Sequence, residues 1–194
     1  MKENRKGDIF MSLVNTPSGN RLHIGIFGKR NSGKSSLLNA ITGQEIALVS
    51  EVKGTTTDPV SKAMEIHPIG PCLLIDTAGF DDTGDLGNMR IEKTKAVLDK
   101  TDVAVVVFSD MQMELETQWI AMLRQRKIPI LAVVNQVDRI EQVQEIKRQI
   151  EQRFSLTPLL VSAKEKTGIS QMKHEILRLM PPDFEAQSLT GSLV

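Results

Sequence analysis

The eight residues from Gly28 to Ser35, GKRNSGKS, place two glycines, a lysine and a hydroxyl at the spacing GxxxxGK[ST]. Glycines let the backbone close tightly, so that successive N–H groups face one anion. A helix starting where the loop ends adds the positive end of its dipole. The chemistry implied is phosphate binding. Gly28, Asn31, Ser32, Gly33, Lys34, Ser35 and Ser36 are the candidate residues. Lys34 is expected to reach the β and γ phosphates as the catalytic cation, and the Ser35 hydroxyl to ligate Mg²⁺.

A phosphate loop does not choose a base. Two later motifs can: NQVD, Asn135 to Asp138, and SAK, Ser162 to Lys164. Both follow apolar runs, at the carboxyl ends of strands where open α/β sheets bind ligands. The Asp138 carboxylate can accept hydrogen bonds from the N1–H and exocyclic amine of guanine, a donor pair that adenine lacks. Asn135 would brace this region, and the Ala163 N–H would face the guanine oxygen between Ser162 and Lys164. DTAG, Asp76 to Gly79, supplies a carboxylate to hold Mg²⁺ through water and, at Gly79, an N–H to sense the γ-phosphate. Upstream, Thr55, Thr56 and Thr57 lie in a long loop where one hydroxyl would complete the Mg²⁺ shell. The residues alone do not say which. The expected reaction is attack of water on the γ-phosphorus of GTP, giving GDP and phosphate.

The elements that must position these residues follow from hydropathy. LHIGIF (22–27), CLLID (72–76), VAVVVF (103–108), ILAVVN (130–135) and PLLVS (158–162) read as strands, the later ones apolar throughout, as in a parallel sheet buried on both faces. A strand at 60–66 is expected to hairpin through 67–71 into the next. Helical patterns fit at 34–42, about 89–99, 115–126, 141–153 and 169–179. The expected fold is α/β: a three-layer P-loop GTPase fold around a mostly parallel six-stranded sheet with one antiparallel strand. Residues 1–20 read as a polar arm, 21–181 as the domain, and 182–194 as a tail or the start of a linker.

The 194 residues suit one domain. Lys plus Arg and Asp plus Glu number 24 each, so bulk charge calls for no nucleic-acid partner, and none is expected. No run approaches the ~18 apolar residues of a spanning helix, and the basic N-terminus lacks the core of a signal peptide. With a single cysteine, Cys72, the expectation is a cytoplasmic protein with no membrane partner. Aromatics make up only 4%, which predicts an aliphatic core.

Together GKRNSGKS, the threonine run, DTAG, NQVD and SAK resemble the translation-factor-related small GTPases, especially the branch of the bacterial tRNA-modification GTPase. GTTTD at 54–58 is similar to that branch's switch loop, which implies Thr56 as the magnesium-sensing residue. The stretches NTPSGNRLHIGIFGKRNSGKSSLLNAITGQ and VSEVKGTTTDPVSKAMEI resemble the N-terminal GTPase domain of the FeFe-hydrogenase maturation GTPases, scaffolds that hold a di-iron subcluster. That resemblance implies a switch in subcluster maturation, with hydrogenase maturation proteins as partners. It also implies dimerisation and cluster-binding domains elsewhere in the protein. No iron–sulfur cluster is expected on this stretch itself, since one cysteine is too few. A ribosome-assembly or tRNA-modification GTPase, and a nucleotide-sensing module with negligible turnover, are the alternatives.

The branch also uses K⁺ near the phosphates, held partly by a phosphate-loop asparagine, and Asn31 stands at the matching place. Two departures bear on activity. Gln136 replaces the usual lysine of the guanine motif, which predicts modest affinity. Phe80 stands where signalling GTPases carry a glutamine and cannot orient water, so hydrolysis should be slow without K⁺. None of Asp81, Asp82 and Asp85 aligns as a base. His23 reads as a sheet-edge residue, Cys72 as buried and inert, and 141–154 as a solvated outer helix with one apolar stripe. The Met111, Met113, Leu115, Trp119 and Met122 group reads as core and edge packing, with a partner-facing surface as the other reading.

Overall fold

The computed structural model describes residues 21–43, 61–76, 94–182 and 184. Among the described residues six strands form one sheet: β1 (Leu22–Gly28), β2 (Ser61–Ile66), β3 (Gly70–Asp76), β4 (Val103–Phe108), β5 (Ile130–Val134) and β6 (Leu159–Leu160). Their spatial order is β2-β3-β1-β4-β5-β6. All neighbours pair in parallel except β2 and β3, which are antiparallel. Four helices have full bounds: α1 (Lys34–Thr42), α2 (Glu114–Gln125), α3 (Val143–Phe154) and α4 (Ile169–Leu179). A short helical stretch covers 94–98.

The alternation within β4 shows why three layers result. Val103, Val105 and Val107 enter one core with Leu37, Leu38 and Ile41 of α1 and Met172 and Ile176 of α4. Ala104, Val106 and Phe108 enter the other, with Trp119, Ile120 and Leu123 of α2 and Ile146, Ile150 and Phe154 of α3. A strand apolar at every position can therefore feed two cores. The apolar stripe expected in 141–154 is the buried row of α3. Met113 and Trp119 are core residues, and Met111, Leu115 and Met122 pack partly buried against that core. Cys72 is buried, and burial pushes its thiol up to about 12, so it stays protonated.

Two expectations change. His23 lies in β1, a central strand, not at a sheet edge. Its backbone N–H and its ring Nδ1 both meet Asp102 Oδ2, at 2.8 and 2.9 Å. The last strand is shorter than 158–162. Pro158 has no N–H to give the ladder, while Ser162 leaves the strand to pair with Thr167. The arm at 1–20 and residues 185–194 of the tail lie outside the described residues.

Candidate nucleotide-binding site

β1 and α1 bracket the phosphate loop at the carboxyl edge of the sheet. Within it Asn31 and Gly33 are left-handed, with φ of 64° and 82°. Such alternation turns successive N–H groups toward one side and makes an anion-binding nest. Gly33 serves a second purpose, because a Cβ there would lie 2.4 Å from Asn135 Nδ2. The Lys34 side chain is buried at 7% exposure, and its ammonium donates to Lys29 O at 2.7 Å and to Gly28 O. These carbonyls hold the cation against the loop. Ser35 and Ser36 are exposed in the first turn of α1, and the Ser32 Oγ is buried with no hydrogen-bond partner.

Asp76 closes β3, and its backbone pairs with Ile26, two residues before the loop. The exposed hydroxyl of Ser35 beside Lys34 is a hard oxygen donor of the kind Mg²⁺ takes together with phosphate oxygens, and Asp76 is a carboxylate by residue type at the end of the neighbouring strand. The residues present fit that ion. Among the described residues no three His, Cys, Asp or Glu gather as a metal centre. A Mg²⁺ held by one hydroxyl, waters and phosphates does not require one. Thr55, Thr56, Thr57, Gly79, Phe80, Asp81, Asp82 and Asp85 lie outside the described residues.

Asn135 joins the two halves of the site. It is fully buried, and its Nδ2 donates to Ser32 O at 2.9 Å and to Gly33 O at 3.4 Å. Its Oδ1 accepts the Ala163 N–H at 3.2 Å. Asn135 thus links the two loops, and the Ala163 N–H, expected to face the guanine oxygen, donates to Asn135 in this arrangement. Asp138 Oδ1 accepts the Ser162 hydroxyl at 2.6 Å, and Lys164 Nζ lies 4.0 Å from Oδ2. The Ser162 hydrogen bond, above all, holds the Asp138 carboxyl below its usual range. Ser162 in turn accepts the Glu165 N–H at 3.0 Å, which fixes the hydroxyl that orients Asp138.

Gln136 stands where the guanine motif usually has lysine. Left-handed at φ 64°, it donates from Nε2 to Asn31 O at 2.9 Å. An amide replaces the ammonium as donor to the loop.

The sequence reading passed over one cluster on the other flank. Lys29 Nζ pairs with Asp110 Oδ1 at 2.6 Å and donates to Gln112 O, in the turn between β4 and α2. Nearby in α2, Glu116 is 1% exposed, and neither carboxylate oxygen has a partner. Burial pushes its carboxyl up to about 7, against the lowering effect of Lys29. Asp110 follows the carboxyl end of β4, on the ligand side of the sheet, and that position was the available signal.

A strand, a nest-forming loop carrying Lys34 and Ser35, and a guanine-type carboxylate held by Ser162, next to the Ala163 that Asn135 binds, define a P-loop GTPase domain. A family model described as 50S ribosome-binding GTPase matches residues 23–136, and the chain belongs to that family. It is 33% identical over 172 residues to GTPase Der of Wolinella succinogenes, covering 81% of this chain and 36% of that protein. It is 38% identical over 162 residues to tRNA modification GTPase MnmE of Bordetella petrii, covering 81% and 33%. A solved structure of Era with MgGDPNP and nucleotides 1506-1542 of 16S ribosomal RNA aligns with TM-score 0.66 at 25% identity, covering 82% of this chain and 56% of that one. The chain thus spans about a third of the length of the curated relatives it matches.

These relatives overturn the expectation of no nucleic-acid partner. One was solved with ribosomal RNA and another is named for tRNA modification. Net charge is an average over the chain, and a balanced total does not exclude a local cationic face or RNA contacts made elsewhere in a longer protein.

Proposed function

We propose that this chain is the switch unit of a longer protein, binding Mg²⁺ and GTP, hydrolysing GTP, and passing its nucleotide state to other domains or partners. The observation that carries the reading is Asn135, whose amide ties the phosphate loop to the guanine loop. The nest of 28–33 and Lys34 hold the β and γ phosphates, and Asp138 selects guanine. Ser35 and Asp76, with Thr56, hold Mg²⁺, which when bound neutralises charge on the β and γ phosphate oxygens. Gly79 senses the γ-phosphate. Positioning and charge neutralisation are the main contributions the protein makes to this hydrolysis.

Asn31, exposed and held at its backbone by Gln136, is our candidate ligand for a K⁺ that supplies further positive charge. Phosphate release from GTP should be at least about tenfold faster in potassium than in sodium. Asn31→Ala should abolish that difference while GDP still binds. Equal rates in both salts with the parent chain would contradict the K⁺ assignment.

What the switch controls has two readings. The relatives support work on RNA, in ribosome assembly or tRNA modification. The resemblance of the stretches at 15–44 and 49–66 supports maturation of the FeFe-hydrogenase di-iron subcluster, with hydrogenase maturation proteins as partners and the compartment cytoplasmic. Capture of the whole protein with its bound macromolecules at physiological salt separates them. Retained rRNA or tRNA supports the first, and retained maturation proteins without RNA support the second.

A further inference from the structure

We propose that Lys29 is a positioning residue that fastens the phosphate loop to the β4–α2 turn, so that the geometry offered to the nucleotide's phosphates is set partly by α2. This rests on the GTP-binding reading above and adds a residue to it.

Lys29 belongs to both structures at once. Its carbonyl accepts the Ser32 N–H at 3.2 Å and the Lys34 ammonium at 2.7 Å, so its peptide is part of the frame that holds the phosphate-binding cation. Its side chain leaves in another direction and ends 81 residues along the chain, on Asp110 Oδ1 and Gln112 O. Asp110 Oδ1 also accepts the Gln112 N–H at 2.8 Å, which closes the turn around the ammonium. The Lys29 side chain is 19% exposed, so its charge is only partly screened by water.

Glu116 places a second carboxylate in the field of the same ammonium. It lies in the first turn of α2 and is buried, with neither oxygen hydrogen-bonded. Burial disfavours its charged form, and against that its own backbone N–H and then the charge of Lys29 favour the anion. Asp110 and Gln112 O fix the cation by direct contact, and the charge of Glu116 acts on it from the first turn of α2. Trp119, one turn further along α2, packs on Phe27 of β1 with ring centroids 6.2 Å apart, so α2 is anchored to the strand that launches the loop. A shift of α2 would therefore reach Lys34 through Lys29.

The test uses the full chain and compares the parent with Lys29→Met, Lys29→Arg, Asp110→Asn and the Lys29→Met/Asp110→Asn pair. GDP affinity is read by calorimetry, GTP turnover by phosphate release, and folding by thermal melts. A loop displaced from phosphates held alike in the ground and transition states loses uniform binding. Lys29→Met should thus raise the GDP Kd and the GTP KM about tenfold while kcat moves less than about threefold. Lys29→Arg should restore both to within about threefold, and the double variant should be no weaker than Lys29→Met alone, because the two residues act as one unit.

Unchanged GDP affinity in a folded Lys29→Met variant would overturn the proposal and leave the GTPase reading intact. So would additive losses in the double variant. If Lys29→Met does not fold, Asp110→Asn decides: a raised Kd for GDP supports the proposal, and parental affinity overturns it. A parent chain that binds no guanine nucleotide would remove the functional reading and this proposal together.

Discussion

Asp138→Asn should weaken GTP and GDP binding on the order of a thousandfold while improving binding of xanthosine nucleotides relative to the parent chain. The Asp138 carboxylate offers only acceptors, and the Ser162 hydroxyl, bound to Oδ1 at 2.6 Å, both aims it and favours its charged form. Guanine presents two donors to that edge, N1–H and the exocyclic amine. An asparagine keeps one acceptor and turns its NH₂ toward a donor, which leaves both groups unsatisfied. Xanthine carries an oxygen in place of the amine, so the same NH₂ finds an acceptor. Competition binding with GDP and xanthosine diphosphate checks the result. A variant that kept parental GDP affinity would show that Asp138 does not read the base.

The second large effect is on stability. Glu116 is buried, and its carboxyl is raised from 4.5 to about 7, burial being the main cause. Its own backbone N–H and Lys29 oppose the rise, while Asp110 and Glu114 add to it. A carboxyl with a raised folded-state value binds its proton more tightly in the native than in the unfolded chain. Its contribution is therefore most favourable below about 4.5 and is lost as pH rises through 7. Between pH 5 and 8 the loss should reach about 2 to 3 kcal/mol, by the linkage of ~1.4 kcal/mol per unit. Glu116→Gln cannot ionise, so its stability relative to the parent should improve by that amount over the same range. Urea unfolding of both proteins at the two pH values measures it. A stability difference that stays constant with pH would show that Glu116 does not titrate in this range.

Much of this architecture can be read in the sequence because the determinants are local. The apolar run 103–108 is β4, and α1 spans the expected 34–42, between the left-handed Gly33 and Gly43. GKRNSGKS shows itself because glycine, lysine and serine must stand at fixed offsets within one turn of chain. The single antiparallel pair was likewise visible in the hairpin signal around His67 to Pro71.

Long-range pairings are harder to see, because spacing carries no record of them. Nothing about Lys29 or Asp110 in isolation says that they meet. Gln136 read as a loss because its type differs from the usual lysine, yet a left-handed backbone and an amide of sufficient reach recover a hydrogen bond to Asn31. The link between the Ala163 N–H and the side chain of Asn135, 28 residues away, is another pairing that spacing does not record. His23 was misplaced because a polar residue near a strand start looks like an edge. Its partner, Asp102, comes from the approach to the neighbouring strand. The nucleic-acid expectation failed for a different reason, since a chain-wide charge total has no spatial content.

If one loop binds phosphate and a second, joined to it by Asn135, restricts the base to guanine, phosphate release from GTP by the full chain with Mg²⁺ and K⁺, in the presence and absence of about a tenfold excess of ATP, tests it most directly. The expected result is Mg²⁺-dependent release that ATP leaves unchanged and that excess GDP suppresses. Suppression by ATP to the same extent as by GDP, or no release from GTP above background, would contradict it.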